Sequence, residues 1–432
     1  MTVDDRRIFE FLDGQAGHAQ PDYLDDILTR TARTRQRPAW TSIERWLPVD
    51  ITAQRSGLGR PVPWRSLAVF VALAVLVAAL VAVAVASRRA LPAPYGLAQN
   101  GAVVASINGD ILAVDAGTWK TRPLIQDDKF DFSPVFSRDG TKMLFLQSDT
   151  PIGQGPDPKL TLAVADADGS HVRAITSPML DLGWFDWSPD GSRIVFIAVA
   201  NGRSGVIHVA NADGTGVTAI GDVELHAHYV TWLPPDGREI VFRSEPEDGS
   251  TDGLGLFAVH PDGSGLRPLS VNAPTNESDY QSMTVSPDGS TLSFTRWLED
   301  GRPRVYLLDV RSGVERELPT PGRLAQRGGG TFSPDGRLVA YERIATSGEF
   351  QAVVAPADGS STGVVLGPKG QGLPDGSDTG LTLAFSPDGS ALMERLGGDD
   401  NGTFWWVPLD GSPASIIGAG AFNFVDVQRL AR

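Results

Sequence analysis

The chain has 432 residues, a mass of 46.0 kDa, a formal net charge of −15 and no cysteine. That length allows two or three units, one of them with a sizeable core, while the absence of thiols excludes disulfides and thiolate metal sites. Residues 90–432 carry a charge balance of −18, which repels nucleic acid and anionic lipid surfaces and argues against nucleic acid as a partner.

Residues 1–65 hold ten arginines and nine acids and read as short helices. Pro21 opens one at its first turn, with Asp22, Asp25 and Asp26 near the positive end of the dipole. Trp40, Ile43, Trp46 and Leu47 share one face of another, which Pro48 ends. Pieces this short are unstable alone. The segment is therefore expected either to pack on itself or to dock on a cytoplasmic partner through its tryptophans.

From Leu67 to Ala86 every residue is Ala, Val, Leu or Phe. At 1.5 Å rise such a run spans roughly 30 Å, the hydrocarbon thickness, and a helix satisfies its backbone internally in lipid. Residues 66–87 are thus expected to form a transmembrane helix that meets the lipid bilayer through 67–86, followed by a linker over 88–97. Arg45, Arg55, Arg60 and Arg65 outnumber Arg88 and Arg89 across the run, which places the N-terminus in the cytoplasm and the C-terminal domain outside. Trp64 and Tyr95 are candidate interface aromatics.

Over residues 98–430 a five-residue turn recurs: Phe136-Ser-Arg-Asp-Gly140, Trp187-Ser-Pro-Asp-Gly191, Leu233-Pro-Pro-Asp-Gly237, Val285-Ser-Pro-Asp-Gly289, Phe332-Ser-Pro-Asp-Gly336 and Phe385-Ser-Pro-Asp-Gly389. Its aspartates, Asp139, Asp190, Asp236, Asp288, Asp335 and Asp388, are spaced by 51, 46, 52, 47 and 53 residues, the length of a four-stranded propeller blade. Proline fixes the first corner, aspartate accepts a backbone hydrogen bond, and Gly140, Gly191, Gly237, Gly289, Gly336 and Gly389 supply positive φ. A hydrophobic strand follows each turn, and a second Asp-Gly or Ser-Gly turn closes each unit, so two hairpins make one sheet. The first unit lacks its first strand, and Phe422 to Asp426 is a strand without followers. Pairing the two predicts an all-β, seven-bladed propeller closed by both termini. A six-bladed ring, with the first unit outside it, is the alternative.

These six turns resemble the WD40-like repeats of TolB-type propellers, in which a Ser-Pro-Asp-Gly turn leads into a core strand. Arg138 stands in the proline position of the first turn and Pro234 in the serine position of the third; neither is expected to disrupt a surface turn. The resemblance implies a protein-binding or ligand-binding propeller, often outside the cytoplasmic membrane. It does not imply the partners of the Gram-negative namesake, whose separate N-terminal domain has no counterpart here.

No Gly-x-Ser-x-Gly elbow followed by Asp and His occurs, and the α/β-hydrolase domain that some peptidases add to such a propeller has no counterpart before Arg432, so catalysis is not expected. His226 and His228 would face the same way in a regular strand, but no third ligand is identifiable; neither a metal nor a cofactor is expected. Asp166 and Asp168 sit in an Asp-x-Asp-Gly run that lacks the later glutamate of a calcium loop. Segments just before the innermost strands gather at one channel mouth and contain Asp131, Asp181, Asp186, His226, His228, Asp279 and Asp378, with Trp184, Tyr229, Tyr280 and Trp297 as aromatic candidates. Such a funnel suits a cation, a basic peptide or a sugar. The expected protein is a membrane-anchored extracytoplasmic propeller that binds a protein, peptide or envelope ligand in a sensing role. A static envelope scaffold and a hydrolase or lyase acting at the mouth are the alternatives.

Overall fold

The computed structural model describes residues 71–76, 93–115, 118, 120–151, 159–179, 181–199, 205–220, 226–245, 253–270, 272, 281–298, 300–324, 330–345, 350–370, 383–396, 402–420 and 422–432. The chain divides into two compact units, Met1–Ala86 and Ser87–Arg432. Of the first, residues 71–76 are helical and exposed. Among the described residues no helix is long and apolar enough to cross a membrane. The remainder of the apolar run, and the short helices read in 1–65, lie outside the described residues.

The described residues of the second unit form strands joined by turns. Its first sheet contains β1 (Gln99–Ile107), β2 (Asp110–Val114) and β3 (Thr121–Ile125). Blade two is β4 (Phe130–Phe136), β5 (Lys142–Ser148), β6 (Leu160–Asp166) and β7 (Arg173–Ala174); blade three is β8 (Asp181–Trp187), β9 (Arg193–Val199), β10 (Val206–Asn211) and β11 (Thr218–Ala219). Blade four is β12 (Ala227–Trp232), β13 (Ile240–Ser244), β14 (Gly255–Val259) and β15 (Arg267–Pro268); blade five is β16 (Gln281–Val285), β17 (Thr291–Trp297), β18 (Pro303–Asp309) and β19 (Glu315–Glu317). In blade six, β20 (Arg323–Leu324) and β21 (Thr331–Phe332) both pair with β22 (Leu338–Ile344), which leads to β23 (Phe350–Pro356) and β24 (Val364–Gly370). Blade seven is β25 (Leu383–Phe385), β26 (Ala391–Leu396), β27 (Gly402–Pro408) and β28 (Ser415–Gly420), and β29 (Phe422–Leu430) ends the chain.

The seven-bladed reading holds. β29 lies antiparallel to β1, with Val103 opposite Val427 and Ala105 opposite Val425, so the last strand of the chain becomes the first strand of blade one. The first strands also touch from blade to blade, which identifies them as the inner ones. An Asp426 oxygen accepts the Phe136 N–H at 2.7 Å, joining blade one to blade two. Asp186 does the same for the Trp232 N–H at 3.2 Å and the Thr231 hydroxyl at 2.7 Å, joining blade three to blade four. The two aspartates are equivalent, since each also accepts the N–H of the residue that follows it.

Alternation along the second strand sets the core. Leu144 and Leu146 of β5 face the next blade and meet Ile194 and Phe196 of β9; the same arrangement repeats at each seam, so seven buried clusters occupy seven seams. One position of this strand is aromatic in five consecutive blades, as Phe145, Phe196, Phe242, Phe294 and Tyr341, all of them buried. Each such side chain contributes about 1.5–3 kcal/mol relative to exposure.

The repeated turn works as its chemistry predicts. Ser188 donates to Asp190 at 2.6 Å, Asp190 accepts the N–H of Ser192 at 3.0 Å, and the Ser188 hydroxyl in turn accepts the Arg193 N–H at 2.8 Å. Ser286 with Asp288, Ser333 with Asp335 and Ser386 with Asp388 repeat it. Partial burial works against ionisation of Asp190, Asp288, Asp335 and Asp388, but the serine and backbone donors outweigh it and hold these carboxyls below the usual range. The third turn departs from the expected alignment. Trp232 opposes Ile240 as Trp187 opposes Ile194, so Leu233, not Pro234, takes the serine place. The turn is one residue longer, and the Gly237 N–H donates to the Leu233 carbonyl.

Arg138 has a structural reason to replace proline in the first turn. Its guanidinium lies 5.3 Å from the Tyr95 ring centre and 3.6 Å from Asp186. Tyr95 packs on Arg138 at the turn-bearing face, where Arg429 donates to the carbonyls of Ala93 at 3.2 Å and Gly96 at 2.7 Å. The lead-in to β1 is therefore fastened to blade one and blade two together.

Candidate ligand-binding face

The face opposite the turns is built by the starts of the inner strands. Four adjoining inner strands break register there: β4 between Phe132 and Val135, β8 between Leu182 and Phe185, β12 between Ala227 and Tyr229, and β16 between Gln281 and Thr284. A bulge places an extra residue in one strand and re-aims the side chains beside it. Ser133, within the β4 break, and His226, just before β12, take positive φ values of 57° and 44°, an uncommon conformation for residues other than glycine.

The bulges of blades three and four bring together one polar and aromatic cluster. Trp184 and Tyr229 rings are 4.8 Å apart, and His228 lies 5.3 Å from Tyr229. His228 Nε2 is 3.7 Å from Glu245 Oε2, and the same glutamate pairs with Arg243 at the end of β13. The Glu245 N–H donates to the His226 carbonyl at 2.9 Å, pinning the strand end. Arg243 is 1% exposed and His228 Nδ1 is buried without a hydrogen-bond partner. The cluster thus offers aromatic surface, a held carboxylate and an imidazole with one open nitrogen. The same bulge breaks the alternation assumed for His226 and His228: His226 precedes β12 and His228 occupies the register break. Among the described residues no group of three or more His, Asp or Glu side chains could hold a metal.

Asp131 forms a second polar centre in blade two, in the place that Leu182 and Ala227 occupy in the next two blades. Its side chain is fully buried; one oxygen accepts from Gln147 at 2.9 Å and the other has no partner. Gln147 also reaches Asp127 at 3.4 Å and accepts from Lys129 at 2.8 Å. Burial pushes the Asp131 carboxyl up to about 7; the Gln147 bond opposes this, and Asp127 and Asp110 add to it.

The remaining candidates divide. Asp186 is engaged in the blade-to-blade bonds described above. Asp181 is the first residue of β8, opposite Val199; Asp279, Asp378 and Tyr280 lie outside the described residues. Trp297 ends β17 opposite Pro303. Asp166 is held by Lys142 at 3.0 Å and His171 at 2.8 Å, and Asp168 by Ser170, so this run is an ordinary turn. Sequence reasoning missed Arg243 and Glu245. The signal for Arg243 was present, as a charge at the end of the apolar run Ile240-Val-Phe242.

No family model and no curated protein matches the sequence. Among solved structures the chain is similar to TolB from Acinetobacter baumannii, at 15% identity over 76% of this chain and 82% of that one, with a TM-score of 0.48. It is similar to an oligogalacturonate lyase in complex with manganese, at 17% identity over 59% of this chain and 73% of that one, with a TM-score of 0.47. A third likeness is to puromycin hydrolase, at 17% identity and a TM-score of 0.47; it covers 72% of this chain, which spans 54% of that one.

Proposed function

We propose that this protein is a membrane-anchored recognition module. Residues 66–87 span the membrane, the propeller stands on the extracytoplasmic side, and it binds a protein, peptide or envelope ligand on the face where the inner strands begin. The role is binding, without catalysis, and it serves sensing through residues 1–65. The observation that carries this reading is the Trp184–Tyr229–His228–Glu245 cluster raised on two adjoining bulges. Bulged inner strands re-aim side chains, and aromatic side chains beside a held charge are the usual anchors of a recognition surface.

Affinity purification from solubilised membranes tests it with three proteins: the intact chain, a chain truncated before residue 61, and the intact chain carrying Trp184→Ala and Tyr229→Ala. Removing two anchors of this kind is expected to lower recovery of the propeller's partner about tenfold or more. The truncated chain should retain that partner and lose any that belongs to the cytoplasmic segment. An unchanged set of partners for the double variant would refute the assignment of the binding face.

A further inference from the structure

The aromatic position of the second strand is filled by Phe or Tyr in blades two to six, and in blade seven by Glu394. This carboxyl is 0% exposed and neither oxygen has a hydrogen-bond partner. A buried ionised group without partners is strongly disfavoured, so the site calls for a neutral carboxyl or a bound cation. Its surroundings follow from alternation. Glu394 lies on the same side of β26 as Leu392, which packs against Ala340, Ala352 and Val354 of blade six. Glu342 lies on the same side of β22 as Ala340, so the two glutamates meet across the seam between blades six and seven. Glu342 is 6% exposed.

The other elements around Glu394 bring no described cation to it. From β23 the Ala352 N–H points towards it without completing a hydrogen bond of ordinary geometry. From β24 comes Gly367, held at positive φ, where an added Cβ would stand 2.6 Å from Glu394 Oε2 and beside Val407 of β27. Leu383 of β25 and Trp405 of β27 oppose it within its own sheet. Of the described basic side chains on the flanking strands, Arg343 is held by the Pro321 carbonyl and Gln351. Arg395 follows Glu394 and by alternation turns towards blade one.

We propose that the seam between blades six and seven is a proton-operated joint: Glu394 keeps it closed while its buried, unpartnered carboxyl holds a proton, and loosens it when that proton is lost. This rests only on the propeller fold and is independent of which ligand the opposite cluster binds. If the sensing role above also holds, external pH is one of its inputs. Burial first, and then the Glu342 charge, push Glu394 from its ordinary 4.5 to about 8. A raised carboxyl means that the folded state holds its proton more tightly than the unfolded one. The seam is therefore most stable below the ordinary value and weakens as pH rises from there through about 8.

Hydrogen exchange of the full-length chain in lipid nanodiscs tests the joint at about pH 6 and about pH 9, with intrinsic rates normalised. Opening of β22, β23 and β26 should increase about tenfold or more between the two conditions in the native protein. It should be nearly flat in Glu394→Gln, and flat in Glu394→Leu, which fills the seam with an apolar side chain and guards against a folding failure of the first variant. Asp131→Asn, in the seam of blades one and two, should leave the response of blades six and seven unchanged. An equal pH response in both Glu394 variants would overturn the proposal, as would a flat response in the native protein. Restoration of protection at the higher pH by calcium or magnesium chloride would also overturn it, by making the pair a cation site instead.

Discussion

Ending the chain at Ala421 is expected to abolish cooperative unfolding of the propeller, whereas removing only Ala431 and Arg432 should change little. The reason is positional. β29 supplies the inner strand of blade one, and its Val427 packs with Val103, Phe404 and Ile417 in the seam between blades seven and one. Its Asp426 also accepts the Phe136 N–H of blade two. Without it, β1 becomes an open edge and two seams lose a wall. Each fully buried aliphatic or aromatic side chain exposed in this way costs about 1.5–3 kcal/mol, so a few of them consume much of the roughly 5–15 kcal/mol by which domains are stable. Unpaired edges also template aggregation. Circular dichroism melts with size-exclusion profiles check this: a broad, irreversible transition is expected, and a sharp transition near the native midpoint would contradict it.

The second large effect concerns the inner staples. Asp186→Ala removes the acceptor of the Trp187 and Trp232 N–H groups, the shorter of two bonds made by the Thr231 hydroxyl, and the charge beside Arg138; Asp426→Ala removes the acceptor of the N–H groups of Phe136 and Val427. Losing charge-assisted acceptors while leaving buried donors unpaired is expected to cost about 2–4 kcal/mol for each variant. Both carboxylates act on the Arg138 guanidinium, so the double variant should depart from additivity by about 0.5 kcal/mol or more. Asn at either position keeps an acceptor oxygen and should recover much of the loss. Equilibrium denaturation in urea compares the five variants with the native chain; an alanine variant within about 0.5 kcal/mol of the native chain would mean that the carboxylates do not join the blades.

Much of this architecture was legible because it is local. The Ser-Pro-Asp-Gly turn is specified by residues within five positions of one another, and its recurrence sets blade length without knowledge of which strands touch. Ring closure was legible for a related reason, since an orphan strand at each end has one economical pairing. Features that depend on register between strands were not. The extra residue after Trp232 is invisible while Asp236-Gly237 remains in place, and it shows only when Trp232 is found opposite Ile240. The bulge at His228 likewise depends on β12 against β13, which is why two histidines separated by one residue were read as sharing a face. Contacts across a seam are further from the sequence still. Glu394 is conspicuous once Ala391-Leu-Met-Glu394 is aligned beneath Lys142-Met-Leu-Phe145, yet nothing local says that Glu342 will face it.

Asp186 shows how composition misleads. An acidic residue before a predicted inner strand has the makings of a mouth ligand, but its equivalence to Asp426 marks it as a joint between blades. Asp131 shows the converse, because its burial in a position that is apolar in the two following blades, with one oxygen unpartnered, could be seen only once the strands were in register.

Site-specific photo-crosslinking in intact cells tests the central claim most directly. A benzoylphenylalanine is placed at Tyr229 on the bulged face or at Val217, an exposed residue of the outer hairpin in blade three. A discrete adduct at Tyr229 that disappears with Trp184→Ala, and none at Val217, is the result expected. Equal adducts at both positions, or an adduct at Tyr229 indifferent to Trp184, would contradict recognition by that face.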